Sequence, residues 1–131
     1  MPLTAVYAAL LALLGCTLTV AVIVQRTRHV VAMGDGGVPS LAQAIRAQAN
    51  FAEQAPMALI AIACAELAGA SALLVNALGI VLVIARLASA VALSRSLTVV
   101  TPLRQAGAAL TGLVVAVAAV RVLLAAAGVA L

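Results

Sequence analysis

The sequence predicts an all-α integral membrane protein built as a four-helix bundle. Three observations predict it. Hydrophobic residues make up 67% of the chain, whereas charged residues make up 8%. A soluble domain needs about a quarter of its residues charged to cover its surface, and a disordered chain is poor in apolar residues, so both classes are excluded. The apolar residues fall into runs long enough to cross a hydrocarbon layer about 30 Å thick. Polar or glycine-containing segments separate these runs.

The 131 residues suffice for one domain, read here as a single four-span unit over 1–131 with spans at about 2–25, 40–68, 72–93 and 102–129. The first apolar run ends at Gln25 and Arg26. Gly34-Asp35-Gly36-Gly37 then reads as a turn, because glycine pairs cost helix stability. A second helix starts near Pro39 or Ser40. Its first turns are polar (Gln43, Arg46, Gln48, Asn50, Glu53) and its later part, from Pro56, is apolar. Pro56 lacks an N–H donor and is expected to bend it. Ala68 to Ser71 is a short uncharged connection. A third span carries Arg86, and a polar loop over 94–101 follows. Thr101 before Pro102 suits an N-cap with proline at the first helical position of the fourth span.

All seven basic side chains are arginine, against Asp35, Glu53 and Glu66, for a net charge of +4. Nucleic acid is not the expected partner, since aromatics are 2% and no basic run stands apart from the apolar segments. The first run is too long for a secretory signal and no positive charge precedes it. The positive-inside rule places Arg26, Arg28, Arg46, Arg95 and Arg104 in the cytoplasm and both termini outside. Cys16 and Cys64 lie in apolar segments and read as small packing residues. His29 reads as a solvated loop residue. No metal is expected, and no Ser–His–acid set is present.

Charges within spans are costly and need a partner or a task. Arg46, Asn50 and Glu53, spaced i, i+4, i+7, share one helical face. Arg86 lies at the depth of Glu53, so a Glu53–Arg86 pair is expected, either tying the bundle together or lining a wet cavity open to the cytoplasm. Glu66 and Arg121 form a second candidate pair, read as a structural tie or as interfacial snorkelling. Arginine's planar fork pairs with carboxylates. Arg26, Arg46, Arg86 and Arg104 converging at the rim, with Asn50 and Glu53 adding an amide and an acceptor for an amino group, suit a small ligand with several carboxylates and an ammonium. Lipid headgroups are the alternative task for Arg26, Arg28 and Arg95.

The run Gly34-Asp35-Gly36-Gly37, the pattern Arg46-Ala47-x-x-Asn50-x-x-Glu53, Pro56 within the helix, Arg86, and Pro102-Leu103-Arg104 resemble the MAPEG family, the membrane-associated proteins in eicosanoid and glutathione metabolism. The likeness covers roughly residues 20–110 and looks closest to short bacterial members, which implies a bacterial inner membrane. The resemblance implies a homotrimer that binds glutathione as co-substrate between subunits, near the cytoplasm. It implies a glutathione transferase or peroxidase acting on a lipophilic small molecule drawn from the lipid bilayer. It places Arg46, Asn50 and Glu53 at the glutathione, Arg86 as the buried partner of Glu53, Arg104 near the thiol as the catalytic candidate, and Arg26, in competition with Arg28, as the helix-one arginine. The chain departs from the family's hydroxyl pattern: Ser89, Leu93, Gln105 and Ala108 stand where histidine, tyrosine, serine and tyrosine occur in its prostaglandin synthase branch, and Ala49 replaces an arginine. These departures support a second reading, a non-catalytic lipid-binding or scaffold protein of the same fold. A small multidrug transporter fits less well, because the first span has no acidic residue.

Overall fold

The computed structural model describes residues 1–95 and 101–129. It contains four α-helices: α1 Leu3–His29, α2 Pro39–Leu67, α3 Ala72–Arg95 and α4 Pro102–Ala126. Their order up and down the bundle follows from bonds between their ends. Near the start of α1, Thr4 bonds Glu66 at the end of α2 and Tyr7 Oη donates to Asn76 Oδ1 in α3 at 2.7 Å. At the other end of α1, Ser40 Oγ donates to Gln25 Oε1 at 2.9 Å. Hence α1 and α3 run one way and α2 the other. α1 and α4 each pack on both α2 and α3, and among the described residues they do not touch each other. α2 and α3 are the middle of the bundle.

The core is narrow and rich in small residues. Leu11, Ile62, Leu82 and Val114 are buried with Ala58, Ala65 and Ala118 in the larger apolar cluster, and Leu18, Ala47, Ala90 and Leu93 form a second one. Alanine lets helices approach closely, so van der Waals contact replaces the hydrophobic drive that hydrocarbon surroundings remove. The outward faces are equally apolar: Leu13 and Leu123 are each 68% exposed. Such a surface suits lipid or another chain rather than water.

α1, α3 and α4 are each long and apolar enough to cross a membrane. α2 is less apolar than these three, because its first half carries Gln43, Arg46, Gln48, Asn50, Glu53 and Gln54. At 29 residues it is still about 44 Å long, runs beside α1 from end to end, and passes through Pro56 unbroken. Of these polar residues Gln43, Gln48, Asn50 and Gln54 are half-buried against the bundle, whereas Arg46 and Glu53 are exposed.

Local chemistry sets the helix ends. α1 continues four residues beyond its expected limit and ends in a left-handed Val30 (φ 54°, ψ 43°). That conformation is strained for a β-branched residue. Arg26 holds it: its carbonyl accepts the Val31 N–H at 3.1 Å, and its Nη1 donates to the carbonyls of Ala32 and Gly34 at 3.1 and 3.0 Å. α2 ends in a Schellman motif, in which the Ala70 N–H reaches the Ala65 carbonyl and the Gly69 N–H the Glu66 carbonyl, both at 3.0 Å. Gly69 supplies the positive φ of 81° that this turn requires. As expected, Thr101 caps α4, its Oγ1 accepting from the Arg104 N–H at 3.3 Å, with Pro102 opening the helix. α4 stops at Ala126, short of the expected 129, where the Val129 N–H turns back to the Leu124 carbonyl. The expected loop over 94–101 falls largely on residues 96–100, outside the described residues.

Candidate functional site: an arginine-lined cleft above a buried polar layer

α2 and α4 begin at the same end of the bundle, and the loop from α1 reaches that end too. The side chains there form two tiers. The deeper tier centres on Arg86, which is 1% exposed. Its Nη1 donates to Asn50 Oδ1 at 3.3 Å, and its Nη2 donates to Ser89 Oγ at 3.3 Å, to the Gly107 carbonyl at 3.0 Å and to Thr111 Oγ1 at 2.5 Å. Every one of these partners is neutral. The Nε atom is buried without a partner among the described residues. This layer sits between the two apolar clusters and joins α2, α3 and α4.

Gly107 makes the layer possible. A Cβ built there would overlap Ser89 Oγ and lie 2.9 Å from the Ala85 carbonyl. Only hydrogen at that position lets α4 come close enough for its backbone carbonyl to accept from an α3 guanidinium. Thr111, one turn on, donates its hydroxyl hydrogen to the same carbonyl at 2.9 Å and accepts from Arg86 on a lone pair.

The expected Glu53–Arg86 pair is therefore not formed. Asn50 and Glu53 are three residues apart, about 60° around the helix. That rotation turns Asn50 inward to Arg86 and leaves Glu53 at the rim, where it accepts from Arg46 Nη1 at 3.2 Å, with both side chains about half exposed. Such a pair contributes at most about 1 kcal/mol to stability.

The upper tier is an open cleft of about 640 Å³, lined by Gly34 and Asp35 from the loop, Ala42, Ile45, Arg46 and Ala49 from α2, and Arg104 from α4. Its volume lies within the range of small-molecule sites, about 300–1,000 Å³. The positive ends of the α2 and α4 dipoles add to the two guanidiniums and favour an anion. A second groove of about 440 Å³ lies beside it between α2 and α4, where Glu53, Gln54 and Met57 face Ala108, Thr111 and Gly112. It is mostly apolar, and Thr111 makes it adjoin the buried layer.

Of the residues singled out in the sequence, Arg46 and Arg104 meet in the cleft, Glu53 joins it through Arg46, and Asn50 and Arg86 meet one layer below. Arg26 does not join them, because its guanidinium is engaged by loop carbonyls in a separate groove with Thr27, Val30 and Val31. Arg28 is exposed. Glu66 and Arg121 do not pair either. Glu66 accepts from the Leu3 and Thr4 amides at 2.5 and 2.9 Å and from Thr4 Oγ1 at 2.6 Å, capping α1. Arg121 Nη2 donates to the Ala68 carbonyl at the end of α2 at 3.2 Å. Sequence reasoning missed Gly107 and Thr111 as partners of Arg86; their i, i+4 spacing on α4 was the available signal. It also passed over Asp35 as more than a turn residue. Cys16 and Cys64 are free and face outward. Among the described residues no group of His, Cys, Asp and Glu has metal-ligand geometry.

The fold and this site define an all-helical membrane bundle with an anion-seeking cleft at one end. A sequence profile of the MAPEG family matches residues 4–124, and the chain belongs to that family. It is similar to the inner membrane protein YecN of Escherichia coli strain K12 and of the O6:H1 strain CFT073, 39% identical in each case over 84 residues. The match covers 64% of this chain, and the chain spans 64% of the length of each relative.

Proposed function

We propose that the protein binds glutathione in the arginine-lined cleft and conjugates or reduces lipophilic electrophiles, as a glutathione transferase or peroxidase. The observation that carries this reading is that Arg46 and Arg104, from different helices, line one cleft sized for a small peptide. Glutathione carries two carboxylates, which suit bidentate guanidinium contacts. In the conjugation step the thiol releases its proton to solvent and Arg104 stabilises the thiolate. The sulfur lone pair then forms a carbon–sulfur bond as the leaving group departs with its electron pair. The electrophile arrives through the apolar groove beside Glu53 and Met57. This reading places the cleft on the cytoplasmic side of a bacterial inner membrane, with both termini outside, α2 as a fourth span, and three copies of the chain completing the site.

Calorimetry with glutathione on the purified protein in detergent tests the binding. The expectation is saturable binding that Arg46→Ala weakens by about tenfold or more, the cost of one charge-assisted contact. Conjugation of a chloronitrobenzene tests the chemistry, with Arg104→Ala lowering kcat more than it raises KM. Binding of glutathione without conjugation leads to the second reading, a non-catalytic binding or scaffold protein. A specific observation favours that reading: no hydroxyl-bearing side chain lines the cleft among the described residues. Ser89 is committed to Arg86, Leu93 is buried in the core, and Ala108 lines the neighbouring groove. Tyr7, the single tyrosine, bonds Asn76 near the starts of α1 and α3, at the other end of the bundle.

A further inference from the structure

The cleft has one charged wall that two guanidiniums do not explain. Asp35 lines it together with Arg46 and Arg104, so loop, α2 and α4 each contribute one charge. The chain has three acidic side chains. Glu66 is spent on the N-terminus of α1. Glu53 is paired with Arg46 and lines the adjoining groove instead. Asp35 makes no ion pair among the described residues. Its Oδ1 accepts from the Gly37 N–H at 3.0 Å, and its carbonyl accepts from the Val38 N–H at 2.9 Å. This Asx turn fixes the carboxylate while leaving Oδ2 able to accept. The preceding residue is also held, because Arg26 grips the Gly34 carbonyl. The carboxylate is therefore a positioned group on a braced loop.

We infer that Asp35 is the specificity-determining residue of the cleft, the acceptor for the cationic amino group of a ligand whose anionic groups face Arg46 and Arg104. This rests on the cleft being the glutathione site. It replaces Glu53, the acceptor expected from the sequence, by a residue on another element. A cleft with only two guanidiniums takes any dianion of suitable size. A carboxylate on the third wall attracts an ammonium and repels an additional anionic group, so it selects amino acids and peptides over simple dicarboxylates by both signs of interaction. The purpose of the Gly34-Asp35-Gly36-Gly37 turn is then to present one carboxylate, and Arg26 serves the cleft indirectly by bracing that turn.

Asp35→Asn is the informative variant. Its side-chain oxygen still accepts from the Gly37 N–H, so the turn survives while the charge is lost. The full chain is titrated calorimetrically with glutathione and with its analogue lacking the α-amino group, glutaryl-cysteinylglycine. The wild-type protein is expected to prefer glutathione by about five- to tenfold, the scale of a partly exposed charge-assisted contact. Asp35→Asn is expected to abolish that preference by weakening glutathione alone, and Asp35→Glu to restore part of it. Equal weakening of both ligands by Asp35→Asn, or no change in either, overturns the inference while leaving the glutathione site intact. Failure of the wild-type protein to bind either ligand overturns the glutathione reading together with this one.

Discussion

The two ends of the bundle carry the same residue types and use them differently. At the end where α1 and α3 begin, Glu66 covers the N-terminus of α1 and Arg121 covers the C-terminus of α2. Each charge neutralises a helix terminus, whose unpaired amides and carbonyls are costly in a membrane. At the opposite end the helix starts are covered by other means: Thr101 caps α4, and proline, which has no N–H to satisfy, sits in the first turn of α2 and of α4. Arg46, paired only with the half-exposed Glu53, and Arg104 line open space, and Arg86 is buried among neutral partners only. A charge consumed by a helix end is architecture. A charge that the fold brings to a cleft and leaves facing it is available to a ligand.

Substitutions can break or sharpen this contrast. Arg86→Ala has the largest expected effect, about 2–4 kcal/mol of lost stability in denaturation monitored by helical circular dichroism, because it opens a cavity and strips Asn50 of its donor. Arg86→Met sharpens it. Filling the space is expected to recover the part of the loss due to the cavity and to leave about 1–3 kcal/mol from the buried acceptors that lose their donor. A loss in Arg86→Met equal to that in Arg86→Ala shows that the hydrogen bonds, and not the volume, carry the contribution of this arginine.

Gly107→Ala follows, at about 1–3 kcal/mol, because the added methyl meets Ser89 and the Ala85 carbonyl and forces α4 from α3. Glu66→Gln is expected to cost about 1 kcal/mol in the same melt, the scale of a helix cap, and to leave the proposed glutathione binding unchanged. A change in binding there erases the distinction between the ends. The smallest effect on stability belongs to Glu53→Gln, under about 1 kcal/mol, since its partner is half exposed. Any strong destabilisation by it shows that the rim pair is structural.

Much of the fold was legible because its causes are local. The Thr101-Pro102 start, the turn after Leu67 and the Gly34–Gly37 turn are each specified by a few adjacent residues, and the structure has all three. The miss at the end of α1 has a nonlocal cause: Arg26, read as a site residue, folds back on the following loop and lengthens the helix to His29. In the site, the shared face of Arg46, Asn50 and Glu53 was legible, but the partner of each was not.

Apolarity and chain punctuation by themselves determined that this is a membrane bundle with most of its arginines towards one end, since burial in lipid and helix capping depend on composition and near neighbours. Only the tertiary structure decided which charge meets which. That choice turns on about 60° of rotation between Asn50 and Glu53, on a single glycine that lets α4 close upon α3, and on the packing that brings Asp35 and Arg46 to Arg104 of the sequence-distant α4. Pairing between helices depends on approach and rotation, and neither is written in the spacing of residues along one of them.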